Sequence, residues 1–64
     1  MKYYGVVVED NIKMKILCSH SPVFLFNEMK CVAVFITEPD AVSYSIEQSD
    51  SLRLTFDRKI VYCV

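Results

Sequence analysis

Apolar and polar residues alternate through the last third of the chain, and this constrains its folding more than any other feature. Val42, Tyr44 and Ile46 alternate with Ser43, Ser45 and Glu47; Leu52, Leu54 and Phe56 alternate with Ser51, Arg53 and Thr55; Ile60, Tyr62 and Val64 follow. Successive side chains of a strand point to opposite faces, so a period of two predicts strands sharing one buried face. With Gln48-Ser49-Asp50 as one loop, Ser45 opposes Arg53 and Ser43 opposes Thr55. With Asp57-Arg58-Lys59 as the next, Phe56 opposes Ile60, Leu54 opposes Tyr62 and Leu52 opposes Val64. Apolar meets apolar at every buried position, which predicts a C-terminal meander.

The start of the chain reads as a hairpin. Val8 and Ile12 flank Glu9-Asp10-Asn11, with Asn11 suited to the left-handed backbone of such loops. Pairing outward sets Val6 against Met14, Tyr4 against Ile16 and Lys2 against Cys18 on one face. Val7 with Lys13, Gly5 with Lys15 and Tyr3 with Leu17 share the other. A slip of one residue would invert every side chain, so the faces are strongly specified.

Between these hairpins, Ser21-Pro22 suits the first turn of a short helix over residues 23–30, whereas the aromatic and branched run Val23-Phe24-Leu25-Phe26 favours a strand. Cys31-Val32-Ala33-Val34-Phe35-Ile36 is apolar on both faces and reads as a central strand. Thr37-Glu38-Pro39-Asp40 carries the hydroxyl, proline and acids of a helix start, but the alternation that follows limits that helix to one turn. The pattern predicts one all-β domain over residues 1–64. The expected form is a small antiparallel barrel or two-sheet sandwich of about six short strands.

A chain of 64 residues with a hydrophobic fraction of 53% carries more apolar surface than it can hide. A domain this small buries only about 60% of the surface its unfolded chain exposes. The surplus predicts a contact with a protein partner or with further copies of the chain. The net charge of -1 and the lack of a basic run disfavour duplex DNA, whose binding rests on phosphate neutralisation. The opening MKYYGVVVED is interrupted by Gly5 and ends in acid, unlike a signal peptide, and no apolar run approaches the roughly 20 residues of a membrane span. A cytoplasmic protein is expected. Three cysteines, Cys18, Cys31 and Cys63, cannot all pair within one chain, and free buried thiols are the simplest expectation.

Candidate chemistry is sparse. Cys18 and His20 project to the same side of an extended strand and could form a nucleophile pair, but one glycine and 64 residues leave little material for an oxyanion site and a pocket. Cys18, His20, Cys31 and Cys63 have the number and type of zinc ligands but not a zinc spacing. No catalytic residue, metal or cofactor is expected. The outer face of the meander, through Ser45, Arg53, Thr55 and Val61, is the expected partner-binding surface. The expected function is a non-enzymatic interaction module. In its sharper form it is a virus- or phage-encoded inhibitor that occludes a host protein surface, since short open reading frames of that kind are common there. The alternative is a small barrel gripping a nucleotide, oligonucleotide or other anion through Lys13, Lys15 and Arg53.

Overall fold

The computed structural model describes the backbone of residues 1–64 and all side chains except those of residues 58–60. Its elements are β1 (Tyr3–Glu9), β2 (Lys13–Ser19), α1 (Pro22–Asn27), β3 (Ala33–Phe35), α2 (Glu38–Leu52) and β4 (Thr55–Cys63). The strands form one sheet in the order β3-β1-β2-β4. β1 is antiparallel to both β2 and β3, and β4 runs parallel to β2. The architecture is predominantly β with two helices, not the all-β barrel, sandwich or meander that the alternation predicts.

The β1–β2 hairpin has the expected faces but a different register. Tyr4 pairs with Cys18, Val6 with Ile16 and Val8 with Met14, two residues from the expected pairing. Asp10 and Asn11 both adopt left-handed backbone, with φ of 54° and 57°, and the Ile12 N–H donates to the Glu9 carbonyl over 3.1 Å. Two consecutive positive φ values suit the tight turn that matches strand twist. The loop is therefore Asp10-Asn11-Ile12, closed by a Glu9–Lys13 pair. A slip of two residues leaves every side chain on its original face.

Residues 22–27 form helix α1 instead of the favoured strand. Ser21 Oγ accepts from the Phe24 N–H over 3.1 Å, and Pro22 occupies the first helical position. Capping and a preset φ outweigh the β preference of Val23 and Phe24. Leu25 is the residue this helix buries, in a cluster with Leu17 and Cys31.

Cys31-Val32-Ala33-Val34-Phe35-Ile36 supplies only the three-residue edge strand β3, not a central strand. Within the strand both faces are partly covered, whereas Val32 and Ile36 at its ends are exposed. Phe35 packs in the cluster of Val6, Met14, Ile16 and Ala41 on the α2 side, and Val34 in the Leu17–Leu25–Cys31 cluster on the α1 side.

The largest departure is α2, fifteen helical residues where a single turn and two strands are expected. Thr37 Oγ1 accepts from the Asp40 N–H and donates to Asp40 Oδ2 over 2.8 Å, and Glu38 and Asp40 place negative charge in the first turn. Ala41, Ser45 and Ser49, at a spacing of four, are the buried residues of the helix. Ser45 Oγ donates to the Ala41 carbonyl over 2.8 Å and Ser49 Oγ to the Ile46 carbonyl over 3.0 Å, so neither hydroxyl is buried unpaired. α2 ends at Arg53, which has a left-handed φ of 57°, and the chain crosses to the far edge of the sheet as β4. The expected position of Ile60 on the buried face falls outside the described side chains.

Pairing between β2 and β4 comes in two blocks. Thr55 and Phe56 lie against Lys13 and Met14; Val61, Tyr62 and Cys63 lie against Ile16, Leu17 and Cys18. Between Phe56 and Val61 the chain of β4 advances five residues against two of β2, which breaks the register. The second block places Cys18 beside Cys63, and they form a disulfide with a Cα–Cα distance of 4.6 Å. This corrects the expectation of three free thiols. Only Cys31 is free; it is buried, and burial pushes its thiol pKa up.

Candidate interaction surface

The left-handed turn at Arg53 reverses the chain just beyond α2. Leu52 is left 57% exposed, while Leu54 turns inward against the core. Arg53 itself is exposed, between these two leucines. The Leu54 N–H donates to the Ser49 carbonyl, and the Thr55 N–H to the Ile12 carbonyl, which ties this turn to the β1–β2 loop. On the third side the Val32 N–H donates to the Val6 carbonyl over 2.8 Å and fixes the approach to β3.

These three segments enclose an open apolar groove of about 400 Å³ lined by Val8, Asn11, Val32, Leu52 and Leu54. Ile12, 66% exposed, lies in the adjoining loop, and Val32 is 55% exposed. Large apolar side chains at this density on one end of so small a domain form the kind of patch that marks a contact site.

The structure redistributes the residues expected to bind. Ser45 is fully buried within α2, because that segment is helical, so it is not on an outer face. Val61 is half-buried and packs against the Val6–Met14–Ile16–Ala41 core, because parallel pairing opposite Ile16 turns it inward. Arg53 and Thr55 are exposed, and Thr55 pairs with exposed Lys13, so these three residues gather at the groove end of the sheet.

Lys15 projects on the same face of β2 as Lys13, on the α1 side, but is committed to partners of its own. Its Nζ forms an ion pair with Glu9 and lies 5.5 Å from the centre of the Tyr62 ring. The hydrogen bond to Lys15, reinforced by its charge, holds the Glu9 carboxyl below the usual carboxylate range, and the same bond raises the Lys15 pKa.

The Cys18–His20 pairing is also dispersed. The Cys18 sulfur is bonded to Cys63, and His20 Nδ1 lies 3.1 Å from the Met1 carbonyl. Cys31 packs with Leu17 and Leu25 on the α1 face, whereas Cys18 projects on the same side of β2 as Ile16. Among the described residues no group of three or more His, Cys, Asp or Glu side chains could hold a metal ion. Among the same residues no helix is long and apolar enough to cross a membrane.

Sequence reasoning missed Val8, Asn11, Val32, Leu52 and Leu54 as a group. They come from three separate stretches of chain, so no local spacing carries the signal. No protein-family model, curated protein or solved structure matches the chain.

Proposed function

We propose that the protein is a non-enzymatic interaction module that docks onto a protein partner through the groove formed by Val8, Asn11, Val32, Leu52 and Leu54. The observation that supports this most is the exposure of Leu52, Val32 and Ile12 around a single concave apolar site. At about 400 Å³ the groove falls at the small end of the range for ligand sites. It suits one large apolar side chain of a partner, an arrangement typical of interface anchors. Arg53 and Thr55, exposed beside it, would form the polar rim. The narrower reading, a viral inhibitor covering a host protein, rests on chain length and gains nothing from the geometry. Binding of a nucleotide, oligonucleotide or other anion through Lys13, Lys15 and Arg53 is the weaker alternative, since Lys15 is engaged by Glu9.

The test compares three forms of the protein by affinity capture from lysate and by light scattering. Leu52→Glu places a charge in the groove, and Val23→Glu places one at an exposed apolar position on α1. The proposal expects partners captured by wild-type protein to be lost with Leu52→Glu and kept with Val23→Glu. Equal capture by all three forms, or capture that disappears steeply between low and moderate salt, would reject the apolar groove as the docking site.

A further inference from the structure

The Cys18–Cys63 disulfide closes the edge of the sheet at its least supported point. β4 is an edge strand, with β2 as its neighbour in the sheet. Its second pairing block, residues 61–63, is separated from the first by the break in register between Phe56 and Val61. Burial there is shallow: Val61 is half-buried, and Tyr62, Cys63 and Val64 are exposed. The Val64 N–H donates to the Cys18 carbonyl over 2.8 Å, so backbone pairing continues just past the bridge. Segments with few buried contacts and a broken ladder are the ones that open independently of the rest of a domain.

The two cysteines also differ in exposure. Cys63 is an exposed residue, while Cys18 is only 2% exposed and belongs to the buried strand β2. Cys31 cannot readily exchange with the pair, because its side chain packs on the opposite face of the sheet with Leu17 and Leu25.

We infer that the disulfide is a redox latch whose reduction releases residues 61–64 from β2 while the remainder of the domain stays folded. The reductant is a dithiol. One of its thiolates attacks the Cys63 sulfur, forming a mixed disulfide and expelling the Cys18 thiolate, which takes up a proton. The second thiol of the reductant then attacks the mixed disulfide and releases Cys63 as a thiol. Two electrons and two protons pass to the protein, and the dithiol leaves as a disulfide. Release frees the backbone groups of residues 16–18 that had paired with β4, so that over this stretch the open edge of the sheet passes from β4 to the more buried strand β2.

The test is amide hydrogen exchange on the full chain, oxidised and after treatment with dithiothreitol, beside a Cys18→Ala/Cys63→Ala double variant without reductant. Alkylation of denatured protein sets the redox state: one alkyl group per chain when oxidised, at Cys31, and three when reduced. The latch predicts that amides of residues 61–64 exchange roughly tenfold faster or more in both the reduced protein and the variant, with Val6 and Val8 in β1 little changed. Uniform acceleration through β1 and β2, or a variant that does not fold, would show that the bridge supports the whole domain and would overturn the inference. Unchanged exchange at residues 61–64 would overturn it as well, as would three alkyl groups on the oxidised protein.

Discussion

Gly5 and Cys31 compete for one volume, and exchanging which of them fills it gives a severe test of the packing. Gly5 lies in β1 opposite Leu17 on one side and Val34 on the other. A Cβ at this position would come 2.5 Å from Cys31 Sγ, 3.2 Å from Cys31 Cβ and 3.3 Å from Leu25 Cδ2. Carbon contacts are comfortable at roughly 3.5–4 Å, so the sulfur must move. The backbone that carries it has little freedom to follow, because the Cys31 N–H is held by the Leu25 carbonyl over 2.9 Å and the Val32 N–H by the Val6 carbonyl over 2.8 Å. Overpacking of this kind costs about 1–3 kcal/mol, partly offset by the roughly 0.5–1 kcal/mol gained when alanine replaces a strand glycine. Gly5→Ala should therefore destabilise by about 1–2 kcal/mol, lowering Tm by about 4–8 °C per kcal/mol. Cys31→Ala empties the same space and should cost about 1–2 kcal/mol through lost burial and the void left behind. In the double variant the new methyl occupies the space vacated by the sulfur, so it should be more stable than the sum of the single changes by about 1–3 kcal/mol. Urea or thermal unfolding of the four proteins measures this coupling. Since Cys31 is outside the disulfide, the bridge is the same in all of them. Additivity within about 0.5 kcal/mol, or a Gly5→Ala protein as stable as wild type, would refute the placement of Cys31 over Gly5.

Leu25→Ala should remove about 2–5 kcal/mol, since Leu25 is fully buried beneath α1; circular dichroism melts would show most of the cooperative transition lost, or a Leu25 that is not core. Val61→Glu should destabilise the fold rather than merely dissociate a complex, because Val61 faces the α2-side core, and an unchanged melt would contradict that placement. Arg53→Gly should stabilise by about 0.5–1 kcal/mol, because glycine adopts the left-handed backbone at the end of α2 without steric cost; a lowered Tm would count against this geometry. Glu9 has a folded-state pKa below its ordinary value, so its contribution is present above the ordinary carboxylate range and lost as pH falls through the folded pKa. Glu9→Gln should slightly flatten the acid limb of the stability profile, and also the alkaline limb where Lys15 loses its proton, because the same bond raises the Lys15 pKa.

The hairpin faces were legible in the sequence because each side chain's face depends on position alone, whereas register depends on which loop residues accept positive φ. Asn11 signalled such a loop, but Asp10 shares the left-handed backbone, and that moved the pairing by two residues. Helix α2 was hidden for another reason. Val42 and Ile46 are spaced four apart, so they fall on one side of a helix as readily as on one side of a strand. The decisive pattern lay in the small residues Ala41, Ser45 and Ser49, also at a spacing of four. Two of them are polar, and a search for apolar periodicity scores them as surface. Back-bonding to the helix carbonyls is what lets them be buried.

Misreading that one helix propagates through the rest of the architecture. Antiparallel neighbours can be joined by short loops, but parallel ones require a long crossover, and α2 is that crossover. As two strands, residues 42–54 would place β4 beside its sequence neighbours, far from β2. As a helix, they carry the chain over β1 and β2 to the opposite edge, where Cys63 meets Cys18 across a sequence separation of 45. The disulfide and the groove are consequences of the same crossover: its end leaves Leu52 exposed and turns Leu54 inward, and the strand it delivers aligns Cys63 with Cys18. Part of the apolar surplus in the composition thus has a definite location in the fold: Ile12, Val32 and Leu52 lie exposed where α2 ends against the β1–β2 loop, while Val23 and Phe26 on α1, Ile36, Tyr62 and Val64 are exposed elsewhere.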